Sequence, residues 1–349
     1  MVPASRHVIA LSRCVALAKR LATDLVVLCS RWADAEKALV VARRGGVNVL
    51  AVDVPEAQRV ELPEFATTAL LAGTKFEWRT DTSLKRNIGL ALARMRGWDR
   101  IVFLDDDIEV RDPDDLVRAA GLLNLYEAVG LFIGGMPDNS VVCHANRYVG
   151  NSQDTFVGGG ALVVDPVRVT SFFPQIYNED WFYLLDRARL RRVATVGLAV
   201  QAPYDPFAWP GRARTEEFGD VLAEGLFALL HTGGTVREAD RVYWAEFLGV
   251  RRSFIKGVLS RVEARAQGVE DERIAASLRV ALARLWLIDP GLCQDYLEAW
   301  QADRSAWRRY VRRLPVGVST TDALRVLGLD RWFVDRNLSS PDREPALGW

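Results

Sequence analysis

The sequence predicts an α/β protein: a mostly parallel sheet flanked by helices, followed by a C-terminal helical region. Three observations carry this. Short apolar runs, such as Leu25-Val26-Val27-Leu28 and Ile101-Val102-Phe103-Leu104, alternate with helical patterns through the first 200 residues. Glycines punctuate the ends of those patterns, as at Gly45-Gly46 and Gly97. After a Pro-, Gly- and Arg-rich stretch at 204–219 the patterns become helical only.

In chain order, strands are expected at 7–11, 24–29 and 47–52, with helices at 14–22 and 33–44 between them. A short strand is expected at 76–78. Ser83 offers an N-cap to a helix running to Arg96, in which Leu84, Ile88, Ala91, Leu92 and Met95 recur at helical spacing. The next strand, 100–104, delivers Asp105-Asp106-Asp107. Asp112-Pro113 opens a helix to 127, 129–133 is a strand, and 137–157 reads as loop with an irregular strand. Gly158-Gly159-Gly160 leads into a strand at 161–164, a helix is expected at 178–189, and 193–200 reads as the last strand. Helices are then expected at 221–230, 237–250, 252–267, 271–287 and 292–311. The organisation is a sheet domain over 1–215, a helical region over 216–338 and a loose tail over 339–349.

Composition excludes several functions. The 349 residues carry 45 basic and 45 acidic side chains, so no global basic field draws in nucleic acid. Arg13, Lys19, Arg20 and Asp24 interrupt the apolar N-terminal stretch before a membrane span is reached, so no integral membrane segment is expected. Cys14, Cys29, Cys143 and Cys293 lie far apart without metal-ligand spacing and read as reduced thiols of a cytoplasmic protein.

The aspartate triplet is the most informative feature. Carboxylates crowded at the end of a buried strand repel one another and are costly to desolvate, so a cation must neutralise them. Hard oxygen ligands favour Mg²⁺ or Mn²⁺, whose shell is completed by water and phosphate. In an open parallel sheet, ligands collect at the carboxyl ends of strands, where this triplet falls. The plain alternative is an acidic turn. Lys85, Arg86 and Asn87 occupy the first turn of the preceding helix, where cations oppose the helix dipole unless an anion is near. A plain basic helix face is the alternative there. Gly158–Gly160 permit close backbone approach or simply a bulge. Glu179-Asp180 place carboxylates in a first helical turn, suited either to proton transfer or to ordinary helix-end acidity.

Taken together and in order, Lys85-Arg86-Asn87-Ile88-Gly89-Leu90-Ala91, the aspartate triplet, the glycine run and Asn178-Glu179-Asp180-Trp181 give a resemblance. Residues 7–205 resemble the nucleotide-diphospho-sugar glycosyltransferases of the GT-A (Rossmann-like) fold, most like family 2 enzymes. The resemblance implies a UDP- or GDP-sugar donor, an unspecified hydroxyl acceptor and Mn²⁺ or Mg²⁺. It implies Asp105 or Asp106 on the nucleotide ribose and Asp107, with Asp105, on the metal. It further implies Lys85, Arg86 and Asn87 around the nucleotide, Gly159 and Gly160 beside the sugar, and Trp181 stacked on sugar or acceptor. Asp180, with Glu179, would be the catalytic base. Many such enzymes take a late histidine as third metal ligand, and His231 is the best placed in sequence. The chain departs from the family at the ends of its first two strands, where it reads Leu11-Ser12-Arg13 and Cys29-Ser30-Arg31. A basic loop over 205–219, carrying Arg212 and Arg214, would close over the diphosphate, or else merely link the two halves. The rival reading of the whole is a non-catalytic domain that binds a nucleotide sugar or a partner.

Overall fold

The first strand is shorter and earlier than the apolar run at 7–11 suggests. It is β1 (Val2–Ala4). His7 instead caps a single 3-10 turn that feeds α1 (Leu11–Arg20), whose Leu11, Cys14, Val15 and Ala18 are buried at helical spacing. A short apolar run has no periodicity of its own to separate strand from helix. The structure, a computed structural model, describes residues 1–136, 139–152, 156–265 and 268–335. The tail expected at 339–349 lies outside the described residues.

From β1 the chain runs through β2 (Leu25–Cys29), α2 (Ala35–Gly45) and β3 (Val49–Asp53), and the three strands pair in parallel. Then come α3 (Ala66–Leu71), α4 (Thr82–Arg96), β4 (Ile101–Leu104), β5 (Ile108–Val110), α5 (Asp114–Leu122), β6 (Ala128–Gly135), α6 (Val141–Tyr148) and β7 (Ala161–Val164). The second half holds α7 (Glu179–Tyr183), β8 (Val193–Gln201), α8 (Gly211–His231), α9 (Arg241–Arg265), α10 (Val269–Leu285), α11 (Pro290–Arg313), α12 (Thr320–Val326) and β9 (Trp332–Val334).

The strands form two ladders, β1-β2-β3-β9 and β4-β7-β6-β8-β5. They meet where the Met1 amine donates to Val102 O (2.6 Å) and Leu104 N to Met1 O (3.0 Å), so β1 lies beside β4. The inner order is therefore 3-2-1-4, and the winding reverses between β1 and β4, the place where open α/β sheets bind ligands. The sheet is mixed rather than mostly parallel. β7 runs antiparallel to both neighbours, β5 to β8, and β9 to β3. One core, containing residues of α1, α2 and α5, covers one face. The other includes α4 together with the helical half, so Leu162 of the sheet and Trp300 of α11 share a single core that crosses residue 215.

Other expectations need correction. Residues 76–78 form no strand, and 141–148, read as loop, form a helix whose first turn is capped by Ser140 Oγ accepting from Cys143 N (3.4 Å). Ser140 is an ordinary N-cap signal, but the Val141-Val142 pair behind it reads equally as strand. The helix at 178–189 shrinks to the single turn of α7, because Leu185 and Leu190 pair in an antiparallel bridge. Residues 241–265 are one helix, not two. Helix α8 starts at Gly211, so Arg212 and Arg214 ride on a helix and not on a loop that could close. No described helix is long and apolar enough to cross a membrane.

Candidate functional site

Beyond Leu104 the chain turns sharply. Asp105 N donates to Gly160 O (2.9 Å), and Ile108 N returns to Asp105 O (3.1 Å), so the three aspartates fan apart. Asp105 accepts from Arg86 Nη2 at 3.0 and 3.2 Å. Asp106, 4% exposed, accepts the backbone amides of Ser5 and Arg6, each at 3.3 Å, and pairs with the Arg6 guanidinium. Asp107 Oδ2 meets Arg6 Nη2 at 2.9 Å and Gln201 Nε2 at 3.5 Å. Arg6 and Arg86 thus already offset much of the repulsion for which a divalent metal was the expected neutraliser. Arg6 escaped notice in the sequence because the first strand was placed too late; the Ser5-Arg6 pair leaving Ala4 was the available signal.

The residues ahead of the triplet are turned inward. Lys85 is fully buried, and its Nζ donates to Ala4 O (2.8 Å), Ser5 Oγ (2.7 Å) and Ser30 Oγ (2.6 Å) and pairs with Asp81 (3.2 Å). It welds the carboxyl ends of β1 and β2 together. Burial lowers its pKa, with Asp81 pulling the other way. Asn87 clamps the backbone of Phe173 through both amide atoms, each bond 2.8 Å. The charge expected to await an anion at this helix start is therefore met by Asp81 in the case of Lys85. Arg86 alone of the three lines a cavity.

Arg86 joins the two acidic motifs. Its Nη1 reaches Glu179 Oε1 at 2.6 Å while Nη2 holds Asp105. Gly159 N donates to Asp180 Oδ2 at 2.6 Å, and Trp181 N to Asp180 Oδ1 at 2.9 Å, so backbone amides aim this carboxylate. Asn178 adopts the left-handed conformation (φ 64°) and anchors through Nδ2 to Asp220 Oδ1 (2.9 Å). Trp181 packs against Phe156 and Phe227, ring centroids 5.1 and 4.6 Å away. Gly159 is required sterically: a Cβ there would stand 2.6 Å from the Arg86 guanidinium carbon. Gly159→Ala is expected to cost about 1–3 kcal/mol through overpacking. At Gly158 an added Cβ meets Asp180 Oδ2 at an ordinary 3.6 Å, so Gly158→Ala serves as the tolerated control when both variants are compared by urea unfolding.

Burial pushes the Asp105 carboxyl up to about 6 against the pull of Arg86, and Asp107 adds to the rise. Burial pushes Glu179 up to about 8, opposed by Arg86 and reinforced by Asp180. Both bind protons more tightly folded than unfolded. Their stabilisation is complete below about pH 4 and is lost as pH rises through about 6 for Asp105 and about 8 for Glu179. The Met1 amine and His144, lowered by burial to about 6 and about 4, act in the opposite sense. The diagnostic is therefore a difference: the stability of wild type minus that of Glu179→Gln should fall from about pH 5 to about pH 8. A difference that is flat or rising would reject this assignment.

These groups border one cleft with two lobes. The inner lobe, about 180 Å³, is lined by Arg86, Asp105, Glu179, Asp180 and Trp181. The outer lobe, about 580 Å³, is lined by Arg6, Arg31, Trp32, Asp106, Asp107 and Arg212. Trp78, Thr80, Thr82, Asp105 and Tyr177 belong to both. Arg31 is left-handed (φ 56°) and is followed by Trp32, 80% exposed, on the rim; in the sequence Arg31 marks only a departure from the family pattern, and Trp32 carries no signal. Arg212 lies 4.7 Å from the Tyr204 ring centroid.

Among the described residues, no three His, Cys, Asp or Glu side chains converge as a metal site. A divalent cation that also takes phosphate ligands needs only one or two carboxylates. Asp107 suits that role, since no described group donates to its Oδ1 and its partner Arg6 is 57% exposed and able to swing away. Asp105 is committed to Arg86. His231 is ruled out by distance: it is exposed in the last turn of α8, whereas Arg212, in the first turn, borders the cleft. At 1.5 Å per residue the two ends are roughly 28 Å apart.

Compared with known proteins, the sequence matches no family model and no curated protein.

Proposed function

We propose that this chain is a nucleotide-diphospho-sugar-binding enzyme of GT-A architecture and, more specifically, a metal-dependent glycosyltransferase acting on a hydroxyl acceptor in the cytoplasm. The observation that carries the reading is the placement of Asp105–Asp107 and Asp180 along one two-lobed cleft at the β1/β4 reversal. The outer lobe has the aromatic walls and polar floor that a nucleoside diphosphate needs, and the inner lobe has room for a sugar. Asp107 would hold Mn²⁺ or Mg²⁺, with Asp105 beside it. The metal would supply Lewis-acid neutralisation of the departing diphosphate.

Charge supports that need. The outer-lobe carboxylates Asp81, Asp105, Asp106, Asp107 and Glu216 are matched by Arg6, Arg31 and Arg212 in the lining and by Lys85 and Arg86 beneath. The described lining therefore carries no net positive charge to meet an incoming diphosphate. The remaining steps fall to the chain's own residues. Asp180, aimed by two backbone amides, takes the proton of the acceptor hydroxyl as its oxygen bonds to the sugar carbon and the bond to the diphosphate oxygen breaks. Tyr177, Trp78 and Trp181 keep water from that carbon.

A thermal-shift screen of UDP and GDP with and without Mn²⁺ tests the reading: stabilisation that requires nucleotide and metal together is expected. No shift with any pairing would end it. One observation favours the non-catalytic alternative, namely that Arg6 already spans Asp106 and Asp107. Donor hydrolysis separates the two. Binding without hydrolysis or transfer, across UDP- and GDP-sugars, selects the binding module.

A further inference from the structure

Beside Phe218 of α8, one buried cation has no counterion among the described residues. Arg284, near the end of α10, is 7% exposed, and its Nε and Nη1 are sealed from solvent with no hydrogen-bond acceptor. Its guanidinium lies 5.1 Å from the Phe76 ring centroid. The same ring has Lys75 Nζ at 5.6 Å and packs on Phe218 of α8 at 5.0 Å. Arg214 stands one helical face round from Arg212, on the Phe218 side, and its charge adds to burial in lowering the Arg284 pKa. Lys75 and Arg214 are exposed, and neither pairs with a carboxylate among the described residues.

Two like charges share the Phe76 ring and Arg214 adds a third beside Arg284, so they repel, and a buried cation without a partner is costly. The ring face returns only part of that cost. A helix-end arginine is commonly explained by bonds to the last carbonyls, but Arg284 forms none among the described residues. We infer that Arg284, Arg214 and Lys75 form an oxyanion site for a phosphate group, separate from the cleft. The Arg284 guanidinium forms the floor and offers Nη2, the one of its three nitrogens that is not sealed, while the two exposed cations form the rim. A phosphate seated there would tie Lys75-Phe76 to α8 and α10. It would thereby brace the segment that continues into Trp78 and Thr80 of the cleft wall. The inference stands whichever reading of the cleft holds.

The test is inorganic phosphate titrated against the full chain, with ionic strength held constant by chloride. Wild type should show a saturable rise in melting temperature of about several degrees at millimolar phosphate. Arg284→Met should abolish the rise while melting no lower than wild type in phosphate-free buffer, since it removes an unpaired charge. Arg214→Glu and Lys75→Glu, both at exposed positions, should each weaken phosphate binding by about tenfold. No rise in wild type, an undiminished rise in Arg284→Met, or unchanged binding in both rim variants would overturn the site. The rim variants decide the matter if Arg284→Met does not fold. Vesicles of phosphatidic acid in phosphatidylcholine distinguish the source. Sedimentation with them that depends on Arg284 identifies a lipid headgroup, and phosphate binding without sedimentation identifies a soluble phosphate.

Discussion

Asp107→Ala is expected to lower metal-dependent donor turnover by about 10²–10³-fold while leaving the melting temperature nearly unchanged. The asymmetry follows from its surroundings. Asp107 gives one oxygen to Arg6, itself 57% exposed, and to the buried Gln201 only at 3.5 Å, so removing it leaves a single long hydrogen bond unmade. Arg6 keeps Asp106. Asp106→Ala should behave in the opposite way, because that carboxylate accepts the amides of Ser5 and Arg6 and holds the end of β1 against β4. Its loss is expected to cost stability on the order of 1–3 kcal/mol. The measurements are nucleotide-sugar hydrolysis over a range of Mn²⁺ and the Mn²⁺-dependent thermal shift with nucleotide. Turnover in Asp107→Ala within about threefold of wild type would remove the proposed role of this side chain.

The second large effect concerns the scaffold behind the cleft. Arg251 of α9, almost wholly buried, donates to Glu217 at 3.0 and 3.1 Å and to Asp220 at 2.9 Å, and it also pairs with Glu224. Arg251→Met should destabilise the chain by about 3–5 kcal/mol, since Glu217 and Asp220 would be left buried and charged. Burial already raises the pKa of both carboxyls, against the pull of Arg251. Combining Arg251→Met with Glu217→Gln and Asp220→Asn should recover most of the loss, because the stranded charges go with the arginine. Urea unfolding of the single and triple variants decides it. A single variant within about 1 kcal/mol of wild type would show that the network contributes little. Asp220 also holds Asn178, so the single variant should loosen the turn that presents Glu179 and Asp180.

Much of this architecture was readable along the chain. β2, β3, β4 and β7 are apolar runs bounded by turn residues, and each formed within two residues of its expected bounds. Helix α4 was legible from its repeat of Leu84, Ile88, Ala91 and Met95. β1, β5 and β9 were not, because three residues are too few to show a period of two. Reading the sheet as mostly parallel failed for the same reason: β5 and β9, two of its antiparallel members, are these short strands. Of the site residues, Arg86, Asp105, Glu179, Asp180 and Trp181 were singled out in the sequence and come to line a common lobe. Arg6, Arg31, Trp32 and Arg212 complete the outer lobe and were invisible as a group, being scattered over three segments.

Local order therefore belonged to the chain itself: where acidic side chains cluster, which segments are apolar on one face, and where the backbone must turn are properties of neighbouring residues. Which cation faces which anion was decided only on folding. Arg6 and Asp106 are 100 positions apart, and Arg86 and Glu179 are 93 apart. Each pairing exists because β1 docks beside β4, and because Gly159 is small enough to lie against a guanidinium. Coulomb energy depends on distance through space and on burial, and neither is set until the sheet closes.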